Sequence, residues 1–240
     1  MTNDYDAISA LHYASYRPSL HVEILRRYLS STQYNAGLDI GCGTGQSAIA
    51  LAEFCQSVIA IDPSPEMISR AIAHSKVNYT LFDKKHFACQ DNTFDIITLA
   101  GSLWYAKSQQ LLDEIVRVGS ENCMVIVYDF ELLLDDILTK IGFDTRGDSL
   151  LTYSHTEDFS GLDTHQITKI DKSSERVQIQ IATKDLTHLL LSVKEQYTSM
   201  VDLYGSNALY DTIKSMLSAL SDSGSFTIQA NTFATVYRLN

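Results

Sequence analysis

Basic residues are scarce in this chain. Lys and Arg number 18 against 29 Asp and Glu, for a formal net charge of −11 at pH 7. Nucleic acids and anionic membrane surfaces are gripped by clusters of Lys and Arg. The only basic doublets here are Arg26-Arg27 and Lys84-Lys85, so neither class of partner is expected. Cysteine is also sparse. Cys42, Cys55, Cys89 and Cys123 form no C-x-x-C pair and no Cys/His spacing of a zinc site, so no metal is expected. They read as reduced, buried thiols of an intracellular protein. No run of about 18 apolar residues is available to span a bilayer. The polar start Met1-Thr2-Asn3-Asp4 lacks the basic and apolar regions of a signal peptide. The expected compartment is the cytoplasm. Only three prolines occur, and no repeat, low-complexity tract or Pro/Gly-rich linker marks a boundary. The 240 residues, 45% of them apolar, are therefore expected to form one domain with a full core.

The pattern begins with two short helices within residues 1–35, the second opened by Pro18 at its first turn. From residue 36 strands and helices alternate. Leu38–Ile40, Ser57–Ile61, Val77–Phe82, Phe94–Leu99 and Cys123–Tyr128 read as strands. Ser47–Phe54, Met67–His74 and Gln109–Val118 read as helices, with Ser64 as an N-cap and Pro65 at the first helical position. Such alternation predicts a mostly parallel sheet covered by helices on both faces. After Asp129 the alternation stops. A helix over residues 132–141, strands over 166–170 and 177–181, helices over 187–204 and 208–220, and a bent or split strand over 226–239 are expected.

The most informative stretch is Leu38-Asp39-Ile40-Gly41-Cys42-Gly43-Thr44-Gly45-Gln46. Three alternate glycines after a strand allow a sharp turn and close approach of backbone to a ligand. The following helix would aim free N–H groups and its positive dipole end at that ligand. Asp62 ends the next strand, seventeen positions after Gly45, where a carboxylate can accept both hydroxyls of a ribose. An adenosine-type cofactor follows. A dinucleotide site wants a small residue at the sixth position of G-x-G-x-x-G/A, and here stands Gln46. Asp39 would repel a pyrophosphate but attract an ammonium, such as the amino group of a methionine moiety. S-adenosylmethionine is thereby favoured over NAD.

Asp39 to Gly45 resembles the glycine-rich motif of class I S-adenosylmethionine-dependent methyltransferases. Ile61-Asp62-Pro63-Ser64-Pro65-Glu66-Met67 resembles their ribose-binding acidic loop, and the stretch from Phe82 to Phe94-Asp95 has the length of their third segment. Ala100-Gly101-Ser102-Leu103-Trp104-Tyr105 is similar to the loop after the fourth strand. Tyr16-Arg17-Pro18 resembles the entry segment of the small-molecule branch called type 11. The resemblance covers residues 36–130. It implies a Rossmann-like, mostly parallel seven-stranded sheet with an antiparallel last strand at residues 223–240. A small cap at residues 131–222 would cover the acceptor site. Leu103 stands where many relatives carry a His, which removes one acid–base candidate.

Cofactor contacts are expected from Tyr16, Arg17, Asp39, Gly41, Cys42, Gly43, Gly45, Asp62, Pro63, Met67, Asp83, Lys84, Ala100 and Ser102. In this scheme Met67 lids the adenine, Asp83 accepts its exocyclic amine, and the Lys84 N–H meets a ring nitrogen. Tyr13, Trp104, Tyr105 and Asp129 are candidates for the acceptor pocket, with Tyr128 as a further aromatic wall. Aromatic faces near a sulfonium contribute ~0.5–2 kcal/mol. In-line methyl transfer to a small acceptor needs a base only if the acceptor must first lose a proton. His12, His86 and Asp129 are conceivable bases, and the sequence names none. A non-catalytic S-adenosylmethionine-binding protein and an NAD-dependent oxidoreductase are the competing readings. The expected state is a monomer or homodimer.

Overall fold

Leu38 and Ile40 alternate with Asp39 on the first core strand, and all three are buried, as a strand covered on both faces requires. A computed structural model describes residues 11, 12, 16, 18, 20–29, 34–82, 86–143 and 153–240 of the chain. In chain order these hold α1 (Leu20–Arg26), β1 (Tyr34–Ile40), α2 (Gln46–Ala52), β2 (Cys55–Asp62), α3 (Pro65–Ser69), β3 (Val77–Leu81) and β4 (Phe94–Ala100). There follow α4 (Leu103–Ala106), α5 (Gln109–Val118), β5 (Gly119–Leu133), α6 (Asp135–Lys140), β6 (Ile167–Ala182), α7 (Thr183–Leu190), α8 (Lys194–Tyr204), α9 (Leu209–Leu220) and β7 (Ser225–Leu239).

The strands form one seven-stranded sheet in the order β3-β2-β1-β4-β5-β7-β6. Strands β1 to β5 pair in parallel. β6 and β7 run antiparallel: Glu175 faces Thr232, whose Oγ1 donates to the Glu175 carbonyl, and Gln180 faces Thr227. This is the Rossmann-like sheet expected from the sequence. The strand order reverses direction between β1 and β4, and open α/β sheets bind ligands at such a switch point, beyond the carboxyl ends of the strands. The turns that follow Ile40 and Ala100 lie there.

Local chemistry explains the helices around that edge. Ser64 caps α3 by accepting from the Met67 N–H at 3.3 Å, with Pro65 at the first helical position. α3 stops at Ser69, short of the expected His74, and the chain beyond it donates from the Ile72 N–H to the Thr44 carbonyl at 3.0 Å. Ser108 caps α5, whose bounds match the sequence reading. Leu111, Leu112, Ile115 and Val118 of α5 are buried against Phe94, Ile97 and Leu99 of the sheet's cluster, each such burial contributing about 1.5–3 kcal/mol.

Two features differ from the sequence reading. β6 is one continuous strand rather than two. Most of it is exposed, so backbone pairing to β7 holds it and no apolar alternation is needed. The single helix expected over 187–204 is two, α7 and α8. Ser192 between them turns its hydroxyl back onto the Leu189 carbonyl at 2.7 Å, a bond that competes with helix propagation. The chain divides into two compact units, residues 1–18, 132–152 and 176–231 in one, and 19–131, 153–175 and 232–240 in the other. The first has its own core of Ile137, Leu138, Leu186, Leu190, Met200 and Ile213. The second holds the parallel strands and the glycine loop.

Candidate cofactor and acceptor site

The loop after β1 folds back on the end of β2. The N–H groups of Gly41 and Cys42 both donate to the Ile61 carbonyl, at 2.8 and 3.0 Å. Gly41 has φ +74°, and a Cβ there would collide with the Ser102 side chain. Ser102 in turn donates to the Ile40 carbonyl at 2.5 Å. The turns after β1 and β4 are thus fastened to each other. At Gly43, φ is +55° and a Cβ would meet nothing within 4 Å. The loop backbone faces open space at that point. Gly45 is covered by the ring of Tyr79, whose hydroxyl donates to the Ile72 carbonyl at 2.8 Å.

Two carboxylates flank this loop with different environments. Asp62 accepts from the Gly43 N–H through Oδ2 and from the Ser64 N–H through Oδ1, both at 2.9 Å. Each oxygen keeps a further lone pair for another donor. Asp39 is fully buried. It accepts from Ser47 Oγ at 2.6 Å and from Thr98 Oγ1, directly across the β1–β4 ladder, at 2.7 Å. Burial raises its pKa to about 6, against the two hydroxyl bonds that lower it. The sequence reading placed Asp39 before an ammonium group, whereas its oxygens here are turned into the protein and hold α2 to β4. The Cys42 thiol beside it is pushed up by burial.

On the other side of the β4 turn lies a second polar centre. Asp129, near the end of the parallel part of β5, accepts from Tyr153 Oη at 2.8 Å and contacts His155 Nδ1 at 2.7 Å through the same Oδ2. Its Oδ1 accepts from the Phe130 N–H at 2.8 Å. Tyr153 Oη is also within 2.9 Å of the Gly101 carbonyl, and a Cβ on Gly101 would sit 3.1 Å from Asp129 Oδ1. The Asp129 carboxylate raises the pKa of the His155 imidazole against the lowering effect of burial. Trp104 and Tyr105 pack on the Tyr153 ring, with centroids 5.8 and 5.7 Å away.

A glycine turn at the switch point and an acidic residue ending β2 lie in a segment that comparison with known proteins also picks out. The profile of a family described as a methyltransferase domain, type 11, matches residues 38–127. The match covers less than half of the chain and shows that the segment from β1 to β5 is similar to methyltransferase domains. A Dictyostelium discoideum protein whose name marks it as a methyltransferase is 26% identical over 123 residues, 50% of this chain and 47% of that protein. A Saccharomyces cerevisiae protein named as an S-adenosylmethionine-dependent methyltransferase is 34% identical over 79 residues, 31% of this chain and 25% of its own length. The chain thus spans less than half the length of these curated relatives. A solved structure from Anaeromyxobacter dehalogenans, described as a type II methyltransferase, superposes with a TM-score of 0.67 at 17% identity, covering 94% of this chain and 97% of that one.

The cofactor that these relatives imply is S-adenosylmethionine. The residues present fit it: the Gly43 backbone borders open space, and Asp62 beside it has acceptor capacity to spare. Of the expected residues, the domain brings Gly41, Cys42, Gly43, Gly45, Asp62, Pro63 and the 37%-exposed Met67 together at one edge, with Ala100 and Ser102 on the adjoining turn. Trp104, Tyr105 and Asp129 gather beyond Gly101, while Tyr128 is buried beneath them with its hydroxyl 3.1 Å from His21 Nδ1. Tyr16 packs in the apolar cluster of the other unit. Tyr13, Arg17, Asp83 and Lys84 lie outside the described residues. His12 contacts His188 at 2.9 Å and His86 contacts Glu114 at 2.9 Å. Beyond the matched segment the chain places beside Asp129 a pair that sequence reasoning missed, Tyr153 and His155. They stand 24 and 26 positions from Asp129, in no motif, and only the fold unites them.

Proposed function

We propose that the chain binds S-adenosylmethionine along the Gly41–Gly45 loop and transfers its methyl group to a small-molecule acceptor docked beyond Gly101. The observation that carries this reading is Asp62. Its carboxylate is fixed by the Gly43 and Ser64 N–H groups, beside the open face of Gly43, with lone pairs left for a ribose diol. Met67, one turn on, is exposed and suited to lie over the adenine. Asp39 braces the loop from beneath through Ser47 and Thr98. The aromatic side chains Trp104, Tyr105 and Tyr153 form a wall for an acceptor of modest size. S-adenosylmethionine, when bound, supplies a methyl carbon on a positively charged sulfur, open to in-line attack. What the chain adds is orientation, which can contribute ~7–11 kcal/mol. The described cysteines are all unpaired, which suits action in the reducing cytoplasm. No described helix is long and apolar enough to cross a membrane.

Isothermal titration with S-adenosylmethionine and S-adenosylhomocysteine tests the reading. Micromolar binding to the wild type, weakened at least tenfold in Asp62→Ala, is the expected result. Failure of a folded wild-type sample to bind either compound refutes it.

A further inference from the structure

His155 stands where the acceptor side of the site opens into a cleft of about 160 Å³, lined by His155, Thr156, Glu157, Lys172, Phe233 and Thr235 among others. Its Nδ1 is held by Asp129 at 2.7 Å. An ionised carboxylate only accepts, so Nδ1 carries the proton and Nε2 presents a lone pair. Among the described residues, Nε2 makes no hydrogen bond. The imidazole is fixed on two more sides, by the Tyr153 ring at 4.8 Å edge-on and the Phe233 ring at 6.0 Å, nearly parallel. Asp129 is itself oriented by Tyr153 Oη and the Phe130 N–H. A base, a group that orients it and donors that orient that group in turn form the arrangement that proton abstraction requires. The dyad also adjoins the cofactor edge, since Asp129 touches Gly101 and the next residue, Ser102, abuts Gly41.

We propose that His155, oriented by Asp129, takes the proton from the methyl acceptor, and that the acceptor is a small phenol. This deepens the methyltransferase reading and rests on it. The phenolic proton passes to Nε2. The O–H pair makes the new bond to the methyl carbon while the carbon–sulfur pair leaves with sulfur. The positive charge that sulfur carried ends on the imidazolium, which Asp129 stabilises. A phenol fits on three grounds. Phe233 gives the cleft one aromatic wall beside His155, and the rings of Tyr153, Trp104 and Tyr105 stand on the other side of the imidazole. The cations near it are already paired, Lys172 with Asp158 at 3.0 Å and Lys107 with Glu157 at 2.5 Å, so none awaits a carboxylate or phosphate. A neutral amine attacks through its nitrogen lone pair with its N–H bonds intact, whereas a phenol must give up its O–H proton to become a good nucleophile, and near neutral pH it still holds that proton. The charged and titratable groups around His155 are Asp129 and Glu131 on β5, Tyr153 and Glu157 on its own segment, and Lys172 on β6. The two acids of β5 hold the imidazole's proton affinity up.

The test uses the full chain, ¹⁵N-labelled, as wild type, His155→Asn and Asp129→Asn, with S-adenosylhomocysteine bound. Asn at 155 keeps a donor for Asp129 and removes the base. The expected wild-type result is an Nδ1-protonated His155 titrating above 6.5. Added 4-nitrophenol should shift its resonances saturably and, at pH 7 where neutral imidazole is present, raise phenolate absorption above that of the free compound. His155→Asn should bind S-adenosylhomocysteine within twofold of wild type, give no such rise, and methylate phenol 10²–10⁴-fold more slowly. Asp129→Asn should lower the His155 titration point. If S-adenosylhomocysteine binds but 4-nitrophenol leaves His155 unmoved, or His155→Asn methylates phenol at the wild-type rate, the proposal is overturned and the methyltransferase reading stands. If S-adenosylhomocysteine does not bind the folded wild type, both fall.

Discussion

Replacing Asp39 with asparagine exchanges a buried charge for a neutral group of the same shape. The carboxylate is fully buried, and its pKa of about 6 lies well above the ordinary value of 3.8. Between those values the folded state holds a proton that the unfolded state has released, so wild-type stability falls as pH rises through this window. A rise of about two pH units corresponds to ~3 kcal/mol. The cost is absent below pH 4, grows to pH 6 and is constant above it. Asp39→Asn escapes it. Its amide nitrogen faces a hydroxyl that can turn from donor to acceptor, so Ser47 and Thr98 can both stay bonded. Urea denaturation of both proteins at intervals from pH 4 to pH 8 measures the difference, in which all other titrating groups cancel. The variant should overtake the wild type by up to about 3 kcal/mol between pH 4 and pH 6, then run parallel to it. A difference that stays flat across the whole range would show that Asp39 does not bury a charge, and the bracing role given to it would fail.

Gly43→Ala should cost only about 1–2 kcal/mol of stability, the strain of a left-handed residue, yet weaken S-adenosylhomocysteine at least tenfold, because its methyl enters the space kept for the ligand; titration calorimetry beside thermal melts separates the two. Glu114 accepts from Arg117 Nε and Nη2 and from the Phe87 N–H, which hold its pKa down to about 2. Its contribution is therefore fully present above pH 4.5 and lost as pH falls through about 2, and Glu114→Gln should cost about 1–3 kcal/mol at pH 7 and clearly less at pH 2.5 in matched melts. Tyr153→Phe removes a donor from Asp129 Oδ2, so the carboxylate should bind the imidazole proton more strongly and the His155 titration point should rise by NMR; a fall would contradict the geometry.

Local signals carried most of the parallel half of the fold. Ser64 and Pro65 announced the start of α3, and the spacing of Gly41, Gly43 and Gly45 announced the tight loop after β1, because caps and tight turns are decided by neighbouring residues. What the sequence hid was decided by distant ones. Asp39 reads as a residue facing a ligand until Thr98, 59 positions away, is found waiting for it across the ladder. His155 gives no hint of chemistry until β5 brings Asp129 beneath it. The continuity of β6 was masked by Asp171, Lys172, Ser173 and Ser174, polar residues that break an apolar pattern but not a strand whose faces are mostly in water.

That same strand has a consequence for how molecules of this protein meet one another. β6 is the last strand of the sheet, so one side of its sixteen-residue backbone has no partner strand among the described residues, and an open edge of this length is a template for another chain to join. Lys169, Asp171, Lys172, Glu175 and Arg176 stud that edge, and Arg176 reaches across to Asn231 at 3.1 Å. Charges of both signs on successive residues make register with a second copy costly at most alignments. Ionic side chains there keep neighbouring sheets from fusing, and high salt or neutral substitutions along β6 would be the conditions under which this protein begins to aggregate edge to edge.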